Sequence, residues 1–175
     1  MLLSVATATN YISGEVKTWK TYQYGRFSTR IWSPSNYGTV ASFFTYWDGP
    51  NWFDGGWNEI DVELVSSMAM YNTSPFSTNI IYGSGTNYHM QDQAYDPMTG
   101  GLDNWHDYTI EWTPEYIKWT MDGVVKRTSY AGSASVDFTN KAQKLMMNFW
   151  TPTFSPWGDG RSNKNMPWYA LYDFV

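Results

Sequence analysis

Apolar and polar residues alternate with a period of two along much of this chain. In Trp57-Asn-Glu-Ile-Asp-Val-Glu-Leu-Val65, Ile60, Val62 and Leu64 alternate with Glu59, Asp61 and Glu63. In Tyr116-Ile-Lys-Trp-Thr-Met121, Ile117, Trp119 and Met121 alternate with Lys118 and Thr120. A period of two is the mark of a strand with one face buried. Runs of this kind predict strands over Leu2–Ala8, Gly14–Thr18, Gly25–Ser33, Thr39–Tyr46, Trp57–Val65, Thr78–Tyr82, His106–Thr113, Tyr116–Met121, Val124–Tyr130, Lys144–Trp150 and Tyr169–Val175. Gly, Pro, Asn and Asp clusters separate them, and Asp122-Gly123 between two alternating runs reads as a two-residue hairpin turn. No segment carries a sustained helical period with caps. The expectation is an all-β protein: two antiparallel sheets packed face to face in a single domain over 1–175.

Parity then picks out chemistry. Trp57, Glu59, Asp61 and Glu63 share one face of their strand, and Ile60, Val62 and Leu64 share the other. Three acids in a row repel one another, and a purely structural strand gains nothing from them. The bland alternative is a solvated edge strand. The functional reading is a carboxylate site, where such strained electrostatics are at home. Cleaving a glycoside takes one acid to protonate the leaving oxygen and a second carboxylate to attack or stabilise the anomeric carbon. Glu59 and Glu63 stand about 13 Å apart at Cα on an extended strand, a gap that long side chains on a bent strand can narrow. Asp61 between them can share a proton with one Glu and disfavour further ionisation nearby.

Other segments add support. Met146, Asn148 and Trp150 share one face of the Leu145–Trp150 run, against Leu145, Met147 and Phe149 on the other. Asn148 and Trp150 make a plausible sugar-binding pair, although Asn148 could equally satisfy a backbone group. Phe44, Tyr46 and Asp48 share a parity as well.

Composition narrows the partner. Aromatic residues make up 19% of the chain, with 11 Trp and 14 Tyr. Each ring offers a flat apolar face and a polar handle, matching the C–H face and hydroxyl rim of a sugar. Aromatic cross-strand pairs in the core would explain them equally. A net charge of -5 argues against nucleic acid. There is no cysteine for a disulfide or a thiolate-bound metal, and no run suits a membrane span. The first residues lack the basic region of a signal peptide. Asn72-Thr73-Ser74 is a glycosylation sequon of a kind common by chance. His89 and His106 read as non-catalytic, and Met68, Met70, Met146 and Met147 as core or cleft padding.

Glu59-Ile-Asp-Val-Glu63 resembles the E-x-D-x-E signature of glycoside hydrolase family 16, in the form of its lichenase and xyloglucan-transferase branch. His106–Gly123, Lys144–Trp150, Tyr22–Phe27 and Ser77–Ile81 resemble lichenase segments, so the likeness covers nearly the whole chain. It implies a curved jelly-roll (concanavalin-like) sandwich with an open concave cleft. It also implies a secreted, monomeric retaining endo-β-glucanase acting on mixed-linkage β-1,3-1,4-glucan. By position Glu59 matches the nucleophile, Asp61 the helper and Glu63 the general acid/base. Trp57, Asn79, Asn148 and Trp150 match glucan-contacting positions, with Phe44, Tyr46 and Trp157 as looser matches. No cofactor is implied for the reaction. A structural calcium is implied by Asp173 alone, because the family's opening segment, which supplies much of that site, has no counterpart here. The alternatives are a xyloglucan-active hydrolase or transglycosylase with the same acids, and a non-catalytic carbohydrate-binding module on the same scaffold.

Overall fold

The computed structural model describes residues 1–5, 11–47, 57–71, 73–83, 90–133, 135–136, 139–161 and 167–175. Asp48, Asn72, His89 and residues 6–8 of the expected first strand lie outside them, as does the side chain of Met70. The alternating segments become strands β1 (Leu2–Val5), β2 (Gly14–Tyr22), β3 (Gly25–Trp32), β4 (Val40–Tyr46), β5 (Trp57–Val65), β6 (Phe76–Gly83), β7 (Met90–Gln91), β8 (Ala94–Asp96), β9 (Trp105–Trp112), β10 (Tyr116–Met121), β11 (Val124–Tyr130), β12 (Gln143–Trp150) and β13 (Trp168–Tyr172). They form two antiparallel sheets. One runs β1-β13-β3-β9-β10-β11. The other runs β2-β12-β4-β5-β6-β7, with β8 also paired to β6.

Three strands have the expected bounds: β5, β10 and β11. The expected Asp122-Gly123 turn joins the last two, both residues having positive φ, 50° and 75°. Differences lie where the pattern is not a clean alternation. β2 runs on to Tyr22, four residues past its expected end, because a shift in register lets Thr21 and Tyr22 pair with Lys144 and Gln143. The strand ladder of β13 stops at Tyr172, and single bonds from Asp173 N to the Arg30 carbonyl and from Thr29 Oγ1 to the Phe174 carbonyl follow it. β7 and β8 were not expected: two or three residues are too few to show a period. Ser66–Tyr71 forms a single short 3-10 helix after β5.

The core lies between the sheets. Phe43, Ile60, Val62, Leu64, Ile80 and Phe149 project from one, and Ile31, Tyr108, Ile110, Trp112, Ile117 and Trp119 from the other. Each such side chain contributes about 1.5–3 kcal/mol on burial. Burying them fixes the register of β5, since a slip of one residue would drive its carboxylates into the core. Met68, Met146 and Met147 are buried, as expected of padding. Among the described residues no helix is long and apolar enough to cross a membrane.

Candidate active site

β5 lies inside its sheet, between β4 and β6, so its acids do not decorate a solvated edge. Glu59 stands opposite Tyr46 and Ile81, Asp61 opposite Phe44 and Asn79, and Glu63 opposite Ser42 and Ser77. Beyond β4, Met146 lies beside Phe44 and Asn148 beside Ser42. The outward parity of each strand therefore builds one face, with the three carboxylates across its middle. That face holds a cleft of about 520 Å³, lined by Trp57, Glu59, Asp61, Glu63, Asn79, Ile81, Gln93, Tyr95, Trp150, Phe154, Pro156 and Trp157.

Each acid has its own surroundings. Asp61 is buried at 2% exposure, whereas Glu59 and Glu63 are partly open to the cleft. Trp57 Nε1 donates to Glu59 Oε2. Burial raises Glu59 to about 6; hydrogen bonds from Trp57 and Asp61 oppose the rise, and the charge of Glu15 adds to it. Burial raises Glu63 further, to about 8, helped by the charge on Glu59. Asp61 is held well above the usual carboxylate range by burial, by the charges of both glutamates and by its hydrogen bond to Glu59. That bond favours ionised Glu59 and neutral Asp61, so the shared proton belongs to Asp61. Glu59, raised only to about 6, gives up its proton before Glu63, which holds its own to about 8. A carboxylate free to attack and an acid free to give a proton thus coexist on one strand.

The opposite sheet holds this strand from below. Trp119 Nε1 on β10 donates to the Asp61 carbonyl at 2.9 Å. The Tyr172 hydroxyl on β13 bridges the carbonyls of Ser42 and Asn148, each at 2.9 Å.

The remaining expected positions fall in two groups. Trp57, Asn79, Trp150 and Trp157 line the cleft with the acids. Asn79 Oδ1 is buried without a hydrogen-bond partner. Phe44, Tyr46 and Asn148 flank the cleft without lining it. Phe44 is buried next to Asp61. Tyr46 meets Trp57 edge to face, ring centroids 6.2 Å apart. Asn148 Nδ2 reaches Glu15 Oε2 at 3.4 Å. The sequence reading missed Ile81, Gln93, Tyr95, Phe154 and Pro156. Tyr95 is on the three-residue β8, and Phe154 and Pro156 are in a loop, so no periodicity marked them.

His106 has a structural place, with Nδ1 on Asp122 Oδ2 at 2.7 Å and Nε2 on the Gly101 carbonyl at 3.0 Å. Asp173 is exposed. Among the described residues no group of three or more His, Cys, Asp or Glu side chains is placed to hold a metal ion. Calcium takes six to eight oxygens, and the Asp173 carboxylate alone does not make such a cage.

The chain matches known proteins both in sequence and in fold. The family model described as glycosyl hydrolases family 16 matches residues 2–169. A beta-glucanase of Bacillus subtilis (strain 168) is 34% identical over 163 residues, 93% of this chain and 61% of its own. A beta-glucanase of Fibrobacter succinogenes is 29% identical over 175 residues, 99% of this chain and 48% of its own. The chain therefore spans about half to three-fifths of these relatives' lengths. Among solved structures, a beta-1,3-1,4-glucanase (lichenase) derived from a mouse hindgut metagenome superposes with a TM-score of 0.73 at 26% identity. The match covers 98% of this chain and 76% of that one.

Proposed function

Because this chain belongs to glycosyl hydrolase family 16, we propose that it is a retaining endo-β-glucanase that hydrolyses mixed-linkage β-1,3-1,4-glucan outside the cell. The observation that carries this reading is the row of three carboxyl groups, Glu59, Asp61 and Glu63, on one strand face of an open cleft. Glu59, the most acidic of the three, is the nucleophile. Its carboxylate attacks the anomeric carbon as the bond to the leaving sugar's oxygen breaks, and Glu63 gives that oxygen its proton. Glu59 is then an ester and carries no charge. The charge that had opposed ionisation of Glu63 is gone, so Glu63 becomes the stronger acid it needs to be to stay ionised. As a carboxylate it takes a proton from water, which attacks the anomeric carbon and releases Glu59. Asp61 holds its proton against Glu59 when the carboxylate is free and relaxes as the ester forms.

The open cleft suits the interior of a polymer. Trp150 and Trp157 offer ring faces to pyranose rings, and the free Asn79 Oδ1 accepts a hydrogen bond from a sugar hydroxyl. The names carried by the relatives support β-glucan as the substrate class. Barley β-glucan, lichenan, laminarin, cellulose and xyloglucan, each followed by sizing of the products, test it. Short oligosaccharides are expected from the first two. Binding of barley glucan with no new reducing ends would leave a binding module instead, and preference for xyloglucan would overturn the substrate.

A further inference from the structure

We propose that Tyr95, held in place by Trp157, donates a hydrogen bond to the leaving or incoming group beside Glu63, and so belongs to the leaving-group side of the cleft. The inference rests on the hydrolytic reading above and extends it to a residue on β8. Glu63 pairs with Ser77, and Ser77 pairs with Tyr95, so the three lie in one row across β5, β6 and β8. Two strand spacings put the Tyr95 and Glu63 backbones about 10 Å apart. A phenol leaning inward covers much of that gap, and Tyr95 lines the same cleft as Glu63.

Its hydrogen bond to Trp157 gives Tyr95 its direction. Trp157 Nε1 lies 2.8 Å from the Tyr95 hydroxyl oxygen. An indole nitrogen can only donate, so the phenol oxygen accepts and its own proton must point elsewhere. Among the described residues no acceptor takes that proton. The donor behind it is rigid. Trp157 is 8% exposed and packs with Val40, Val65 and Met68, and Ser67 Oγ donates to its carbonyl at 2.5 Å. Burial and the nearby Glu63 charge keep the phenol protonated, although its bond to Trp157 works the other way.

Glu63 is thus close enough for its charge to be felt at the phenol, while no direct hydrogen bond joins them. During the reaction the oxygen in contact with Glu63 is first the departing glycosidic oxygen and then the incoming water. Tyr95 can bind it, or the sugar hydroxyl next to it, without giving up its proton. Gln93 stands on the same side and donates to Ser77 Oγ at 3.2 Å, adding a second polar group there.

The test compares two substrates in Tyr95→Phe, which keeps the ring. Barley β-glucan has a sugar as its leaving group. An aryl β-glycoside of a glucan oligosaccharide, with an acidic phenol as leaving group, has none. Loss of one neutral hydrogen bond should lower kcat/KM on the polymer roughly ten-fold and leave the aryl glycoside within about two-fold. Trp157→Phe, which removes the N–H but keeps an aromatic ring, should change the ratio of the two in the same direction. An equal loss on both substrates would assign Tyr95 to support of the fold or of Glu63, and no loss on either would also overturn the inference. A wild-type protein that cleaves neither substrate would remove the hydrolytic reading and this inference with it. A wild type that cleaves both, with Tyr95→Phe unchanged, would remove this inference alone.

Discussion

Glu59 and Glu63 are the same residue type on the same strand face, and their surroundings make them different acids. Glu59 keeps two hydrogen bonds that favour its charge, from Trp57 and Asp61, while Glu63 faces burial and the charge of Glu59. The active form has Glu59 ionised and Glu63 protonated, so activity against pH should be a bell with limbs near 6 and 8. These limbs are apparent values that belong to the group of acids together. Glu59→Gln and Glu63→Gln should each lower kcat/KM on barley glucan by roughly 10²-fold or more. Azide added to Glu63→Ala with an activated substrate should restore turnover and give the β-azide, and an α-azide would exchange the two roles. Trp57→Phe removes a bond that stabilises ionised Glu59. Its acid limb should move to higher pH while the basic limb stays, which a pH–rate profile reads directly.

At the level of strands, the carboxylate row depends on contacts made through the core. The Trp119 indole holds the Asp61 carbonyl, and the Tyr172 hydroxyl holds two carbonyls on neighbouring strands β4 and β12. Both side chains come from the opposite sheet, so they tie the site sheet to its partner. Tyr172→Phe leaves the packing almost unchanged and removes the bridging hydroxyl. It should cost about 1–2 kcal/mol, measured by urea denaturation, with a matching fall in Tm. An unchanged midpoint would mean that the two carbonyls are already satisfied within the ladder.

For the molecule as a whole, the site is a cost to folding that grows with pH. Glu63 has its pKa raised in the folded state, to about 8 from an ordinary value of 4.5. Below the ordinary value both states are protonated and there is no penalty. Between the two values the unfolded chain releases the proton and the folded protein retains it, so the unfolded state is favoured as pH rises. Glu63→Gln, which cannot ionise, should therefore raise Tm at pH 8, with the gain shrinking towards pH 4. Scanning calorimetry at the two pH values measures it. A Tm difference independent of pH would show that the gain comes from something other than ionisation.

The row of acids was legible because strand parity is a local property. Alternation at Ile60, Val62 and Leu64 puts Glu59, Asp61 and Glu63 on the other face whatever the strand lies next to. The Asp122-Gly123 turn was legible for a similar reason, since the positive φ it needs is written in two adjacent residues. Assigning attack to Glu59 needed the resemblance of the motif to family 16, because parity alone treats the two glutamates alike. Tertiary structure decided the rest. Placing β5 inside the sheet, between β4 and β6, buries Asp61 and separates the protonation of the three acids, a burial that no single strand's sequence specifies. Tyr95 reaches the cleft through pairing of a three-residue strand with β6, a contact too short to leave a periodic trace. The Trp119 bond to Asp61 crosses the core, where only the packed distance between two sheets brings an indole to a carbonyl 58 residues away.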